Sequence, residues 1–172
     1  MAATFGGSTR KKGIQILKAA SAEGPFVPLT KYPVTPAEWN CLDGTFYHEK
    51  NGAVWLVFSH SVPEEPRGAI CAAPLNTSMT KFTSKPNILF YMDTVSWAKP
   101  IPFAKAEFGV DGDAFFQTVH ICSPPGTESF VCCFQVGATT DMLWELLLRQ
   151  TVLLQDNGFF RKFRFWMAAA MV

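Results

Sequence analysis

The sequence predicts an all-β fold for most of the chain, followed by a final third that is irregular or helical. Between Ile14 and about Phe90, short apolar or alternating runs are separated by glycine, proline, asparagine and aspartate, at spacings typical of antiparallel sheets. The chain has 172 residues, of which 48% are hydrophobic. This length can bury one sizeable core and does not require two, so a single domain is expected.

The clearest local element is a β-hairpin over residues 44–60. The run GTFYHE leads into Lys50, Asn51 and Gly52, and the run AVWLVFSH follows. Asn-Gly pairs supply the positive φ angles of tight hairpin turns, so the two runs are predicted to pair as antiparallel strands. A proline-rich segment precedes the hairpin and predicts a rigid connecting loop, because proline excludes a helix or a central strand there. Its prolines are Pro25, Pro28, Pro33 and Pro36.

The character of the sequence changes after about Phe103. Over residues 141–155, leucines recur at roughly helical spacing, which predicts a helix, and the final run FFRKFRFWMAAAMV mixes basic and aromatic residues without strand alternation. One interpretation is a small α+β interaction domain whose C-terminal leucine helix docks on a partner. The basic aromatic tail alone is also typical of membrane-surface and nucleic-acid-binding segments.

The charge balance and the cysteines restrict the classes of partner and site. Fifteen Lys and Arg residues against fourteen Asp and Glu residues leave a net charge of +1, so no overall field attracts nucleic acid or an anionic membrane, and a neutral partner is expected. The five cysteines are odd in number and contain no CxxC pair, which argues against a zinc site and a full disulfide framework. No signal peptide or membrane-span run is visible, which leaves the cellular location open.

Residues 22–60, AEGPFVPLTKYPVTPAEWNCLDGTFYHEKNGAVWLVFSH, carry a specific combination of motifs. A GPFxPLT phrase is followed by a tryptophan, an L-D-G-T-F-Y strand start and a hairpin containing WLVF. This combination resembles glycoside hydrolase family 43, and the resemblance covers about residues 11–103. It implies a partial five-bladed β-propeller, with about two blades in residues 1–116. It also implies a carbohydrate partner and the inverting hydrolysis of O-glycosyl bonds in polysaccharides that contain arabinose or xylose.

The resemblance assigns roles to carboxylates, because inverting glycosidases use one to activate water and another to protonate the leaving oxygen. Asp43, in L-D-G-T, matches a third carboxylate that positions the substrate and raises the pKa of the acid by like-charge repulsion. The alternative is that Asp43 forms a turn with Gly44. Asp111 matches the general acid, with Glu107 as the alternative, although the family's proline after the next glycine is missing. The general base is expected upstream of Met1, so the chain would be catalytically incomplete.

Two aromatic residues, one before the L-D-G-T phrase and one at the end of the hairpin, are candidate sugar contacts. Trp39 precedes L-D-G-T and could stack on a sugar ring, whereas a half-buried core tryptophan is the common alternative. His60 ends the hairpin where relatives often have His-Glu-Trp, while this chain has Ser61 and Val62, and a structural histidine is the alternative. The sequence shows no cofactor site, although complete family members often carry calcium near the propeller axis. A propeller that binds carbohydrate without hydrolysing it is the alternative function.

The last third lacks the phrases that come next in the family, an LWSSxGxxGYxxGxAxS strand and a D-G-G-H-G loop. DNA that encodes this part of the chain can also be read in a second frame, shifted by two nucleotides. In that frame it can encode LFSSWGDNGYAMGIATS and, further on, D-G-G-R-H-G. The single codons of Met142 and Trp144 fit this shifted reading. We therefore hypothesise a reading-frame slip between about Asp111 and Glu128, which would make residues 117–172 a non-native tail.

Overall fold

The structure of the protein is a computed structural model that describes residues 1–7, 10–95, 98–115, 117–122, 130–135, 147–156 and 159–168. In this described part, eleven strands form three sheets. Helical structure there is limited to a 3-10 turn at Met92–Thr94 and the short helix α1 at Ala104–Phe108. The all-β prediction is therefore confirmed.

The first sheet has the strand order β1-β2-β3, with β1 at Ala2–Gly7, β2 at Arg10–Lys18 and β3 at Val27–Pro28. Both strand pairs are antiparallel. Ile14 and Ile16 are buried on one face of β2, because a strand presents every second side chain to the same side. This face of the sheet joins the core shared with the second sheet.

The proline-rich segment runs back along β2 as the connecting loop that the sequence predicts. The amides of Leu29 and Val34 donate to the carbonyls of Ile16 and Ile14, each at 2.8 Å. Pro28 lies in β3 at the edge of the sheet, where a missing N–H can be accommodated. The loop therefore covers β2 without adding a central strand.

The second sheet is a four-stranded antiparallel meander with the order β4-β5-β6-β7, the arrangement of a propeller blade. Its strands are β4 at Cys41–His48, β5 at Val54–His60, β6 at Ala69–Pro74 and β7 at Asn87–Tyr91. Strand β4 lies against β1 and β2 of the first sheet. The first two sheets lie within residues 2–91, and the domain boundary expected after residue 116 stays a prediction.

The predicted hairpin between β4 and β5 is confirmed, with a loop that differs in detail. The Glu49 amide donates to the Ala53 carbonyl at 2.9 Å and closes the loop. Gly52 has a φ of 86°, in the left-handed region that favours glycine. Asn51 contributes its side chain instead, because its Oδ1 accepts a hydrogen bond from the Ala53 amide at 2.9 Å. Only the glycine of the Asn-Gly pair therefore has a positive φ angle.

Strand β5 is buried on both faces, which explains its continuous apolar sequence. Trp55 and Val57 belong to the core cluster on one side of the meander, and Leu56 and Phe58 belong to the cluster on the other side. Each of these four side chains is at most 1% exposed. A strand covered on both faces needs apolar residues at successive positions rather than at alternate ones.

The third sheet has the order β10-β11-β9-β8. Its strands are β8 at Gln117–Cys122, β9 at Phe130–Gln135, β10 at Leu147–Asp156 and β11 at Phe159–Ala168. The β8–β9 and β10–β11 pairs are antiparallel, whereas β11 and β9 run parallel. This mixed order departs from the regular meander of the second sheet.

The helix expected over residues 141–155 is wrong for its described part, which forms β10 and pairs with β11. Leucines are compatible with either element, and the spacing of a short apolar run does not distinguish them. Asn157 and Gly158 stand between the two strands in the sequence, and an Asn-Gly pair between two apolar runs is a strong hairpin signal. The described part of the basic aromatic run, residues 159–168, also forms a strand, β11, rather than irregular structure. Residues 141–146 lie outside the described part.

The connection between the second and third sheets has a small core of its own. Ile101 and Ala104 pack there with Val62 and Ala114. Helix α1 is followed by Gly109, which has a left-handed φ of 68° and caps the helix with its amide. None of the helical structure among the described residues has the length and apolar character needed to cross a membrane.

Candidate active site

Asp43 lies in a β-bulge near the start of β4. Leu42 pairs with Ser59, but the next pair starts at Thr45, so two residues of β4 oppose one residue of β5. Asp43 has a φ of 55°, in the left-handed region that aspartate enters more readily than most residues. Bulges are common beside active sites, where they redirect a side chain. Asp43 is therefore part of a distorted strand and not of a chain-reversing turn.

Gly44 allows β2 to approach the bulge closely. A Cβ atom at this position would lie 2.7 Å from Cγ2 and 2.9 Å from Cδ1 of Ile14, a residue with no exposed surface. Contacts this short do not occur between real side chains, so a larger residue would displace Ile14. The Asp-Gly pair thus combines a carboxylate at the bulge with a packing site for β2.

Trp39 and His60 stack on each other beside the start of β4. Their ring centroids are 4.3 Å apart and the ring planes differ by 3°. His60 is 7% exposed and is paired across the sheet with Cys41, while the half-buried Trp39 packs against the core cluster of the first two sheets. His60 therefore covers one face of the indole. The roles of both residues in sugar binding stay predictions.

The surroundings of His60 favour its neutral form. Burial lowers the pKa of the imidazole and outweighs the opposing effect of Glu65 and Glu64, while Lys11 adds to the lowering. Lys11 also forms a 2.8 Å ion pair with Glu64. The His60 Nε2 atom is buried and has no hydrogen-bond partner in the described part of the chain. A neutral ring stacked on an indole is the expected state at neutral pH.

Asp111 lies in an exposed loop between α1 and β8. Its Oδ1 atom forms a 2.6 Å ion pair with Lys105 Nζ, and both side chains are 80% exposed. Glu107, the alternative acid, is exposed on α1. General acids of glycosidases are usually held in apolar surroundings that favour their protonated form. The structure does not give Asp111 such surroundings, although β8, the strand that follows it, contacts β4.

Comparison with known proteins identifies the family. The sequence pattern of Glycosyl hydrolases family 43 matches residues 1–112, which include the bulge and its neighbours. The chain belongs to glycoside hydrolase family 43. No curated protein sequence matches it.

Two solved structures have the same fold as this family 43 chain. One is described as the endo-arabinase from Bacteroides thetaiotaomicron VPI-5482, with a TM-score of 0.64 and 20% identity, over 99% of this chain and 70% of that one. The other is a thermostable family-43 glycoside hydrolase, with a TM-score of 0.61 and 10% identity, over 95% of this chain and 49% of that one. The chain spans only part of the length of each, which agrees with a partial propeller.

Cys41 and Cys71 are unsuited to chemistry. Cys41 and Cys71 are free, fully buried, and part of the core cluster of the first two sheets. Burial raises the pKa of Cys41 to about 12, and it also raises the pKa of Cys71. Both thiols are therefore protonated at neutral pH, and a protonated thiol is neither a good nucleophile nor a metal ligand.

Two hydroxyl groups at the bulge were not found from the sequence. Thr4 Oγ1 accepts a hydrogen bond from the Asp43 amide at 3.1 Å, and Ser59 Oγ donates to the Leu42 carbonyl at 3.2 Å. Thr4 is on β1 and Ser59 is on β5, so the fold brings three strands together at Asp43. No motif around either residue signals this contact.

Lowering the pH should destabilise the protein through His60. Its folded-state pKa lies below the unfolded value of 6.5, so the unfolded chain takes up the proton first and stability falls as the pH drops below that value. One such group contributes at most about 1.4 kcal/mol per pH unit. Urea denaturation between pH 7.5 and 5 measures the effect. His60→Gln should flatten this part of the profile.

Proposed function

We propose that the chain is part of a glycosidase that hydrolyses O-glycosyl bonds of arabinose- or xylose-containing polysaccharides with inversion. The observation that carries this proposal is Asp43, a carboxylate held in a bulge near the start of β4 in a family 43 blade. In this position Asp43 orients the sugar and raises the pKa of the neighbouring acid. An arabinose-containing substrate has the additional support of the structural similarity to an endo-arabinase.

We propose further that residues 117–172 are a product of a reading-frame slip and that the chain alone is inactive. The match to the family ends at residue 112, close to the start of the segment in which the slip is placed. The exposed, lysine-paired position of Asp111 is what an incomplete acid site would show. In a chain read in the restored frame, Asp111 would become the general acid once the following strands enclose it.

Sequencing the gene from codon 100 to the codon of Val172, with flanking DNA, tests the slip. A missing or extra base that restores LFSSWGDNGYAMGIATS and a D-G-G-H-G loop would support it. If independent genomic DNA confirms the reading frame of the present sequence, this part of the proposal is refuted. The protein as written would then be assayed directly for hydrolysis of arabinan and xylan.

The restored protein is the one encoded when the reading frame is restored. Replacing Asp43 with asparagine in this protein is expected to lower kcat/KM on arabinan or xylan about a hundredfold, because an orienting group at the reacting sugar is lost. Asp93→Asn is the matched control. Asp93 forms an ion pair with Arg67 at the end of β7, at 2.7 and 3.1 Å, and its replacement should leave the rate unchanged. Equal activity of Asp43→Asn and wild type would exclude a catalytic role for Asp43.

A carbohydrate-binding propeller without hydrolytic activity is the second candidate. It is favoured by the absence of an enclosed acid at Asp111. Binding of an arabinose or xylose oligosaccharide that survives Asp43→Asn, together with no hydrolysis by the restored protein, would support this alternative. The alternative of an α+β interaction domain is no longer supported, because the described part of the segment expected to form the docking helix is strand β10.

A further inference from the structure

One peptide group at the bulge is held from two sides. The Leu42 carbonyl accepts the hydrogen bond from Ser59 Oγ, and the Asp43 amide donates to Thr4 Oγ1. The carbonyl and the amide belong to the same peptide bond, the one that joins Leu42 to Asp43. Two hydroxyl groups from different strands therefore fix the orientation of this single peptide plane.

The orientation of this peptide determines the backbone conformation of Asp43. Rotation of the plane changes ψ of Leu42 and φ of Asp43 together, and a flip would return Asp43 from its φ of 55° to the negative values that most residues prefer. A left-handed aspartate is less stable than an extended one, so surrounding contacts must maintain it. The two hydrogen bonds supply such contacts.

We propose that Thr4 and Ser59 are positioning residues that hold Asp43 in its left-handed conformation and so aim its carboxylate at the substrate. This inference rests on the proposed function of Asp43. The next residue, Gly44, lies so close to Ile14 that an added Cβ would meet it at 2.7 Å, whereas the peptide before Asp43 is held by the two hydroxyl groups. Thr4 comes from β1 and is exposed, whereas Ser59 is fully buried on β5.

The exposed position of Thr4 makes it the better residue to test, because its replacement should not disturb the core. Thr4→Val keeps the shape of the side chain and removes the acceptor. We expect amide exchange at Asp43 to become about tenfold faster and the affinity for an arabinose trisaccharide to fall about tenfold, the effect of one lost hydrogen bond. Thr4→Ser, which keeps the hydroxyl group, should restore both values to within about twofold.

Thr94→Val is the matched control. Thr94 Oγ1 donates to the Tyr91 carbonyl at 2.7 Å at the end of β7, so this variant removes a similar exposed hydrogen bond away from the bulge. It should leave exchange at Asp43 and sugar affinity unchanged. Ser59→Ala removes the second bond to the peptide and should increase exchange at Asp43 as Thr4→Val does.

Two results would overturn the inference. One is unchanged exchange at Asp43 in both Thr4→Val and Ser59→Ala, and the other is a Thr4→Ser variant that behaves like Thr4→Val. If the protein with the restored reading frame binds no arabinose or xylose oligosaccharide, that result would instead count against the proposed function. In that case the exchange rates at Asp43 would still decide whether the two hydroxyl groups hold the peptide.

Discussion

Replacing Phe58 with alanine is expected to lower the free energy of unfolding by about 3–5 kcal/mol, the usual range for a buried phenylalanine. Phe58 has no exposed surface and lies in the core cluster shared by the first two sheets. Its ring stacks on Phe82 with a centroid distance of 6.0 Å. Because β4, β5 and β6 are packed on both faces around this position, the cavity left by the ring can close only partly. Equilibrium urea denaturation measures the loss.

Phe26→Ala is the control, because it makes the same change from phenylalanine to alanine at an exposed site. Phe26 is 42% exposed and lies in the loop before β3, so its replacement should change stability by less than about 1 kcal/mol. Phe58→Leu keeps most of the buried volume and should lose about half as much as Phe58→Ala. Similar losses for the alanine variants of Phe58 and Phe26 would show that the two blades do not share a packed core around Phe58.

Replacing Gly44 with valine is expected to cost about 3 kcal/mol, the upper end of the usual range for overpacking. The new Cβ would meet Ile14 at 2.7 Å, and Ile14 is fully buried, so it cannot move into solvent. The two extra methyl groups worsen this contact between β2 and β4. The clash would also displace the adjacent Asp43, so any sugar binding should be lost together with stability.

Removing the side chain that Gly44 contacts tests the cause of this loss. Ile14→Ala destabilises the wild type by creating a cavity, but in the Gly44→Val background it should cost less, because the two changes compensate in volume. Additive effects of Gly44→Val and Ile14→Ala would refute the steric explanation.

The local sequence was sufficient to predict those conformations that depend only on neighbouring residues. Gly52 enforces the loop between β4 and β5 through its backbone freedom, and Pro28 keeps its segment at the edge of a sheet because it lacks an amide hydrogen. The L-D-G-T phrase also indicated the carboxylate at Asp43, because the residues of this motif are contiguous in the sequence. Leucine spacing was misleading over residues 147–155, since the same residues fit a strand when a partner such as β11 is present.

Only the tertiary structure decided how Asp43 is held and what surrounds it. Thr4 and Asp43 are 39 positions apart in the sequence, and Ser59 lies 17 positions from Leu42. Hydroxyl groups of threonine and serine occur throughout any chain, so nothing local distinguishes these two. The sequence by itself determined the family, the hairpin and the candidate carboxylate, because these depend on short-range motifs. The bulge geometry and its two hydrogen bonds depend on strands that meet only when the sheets pack.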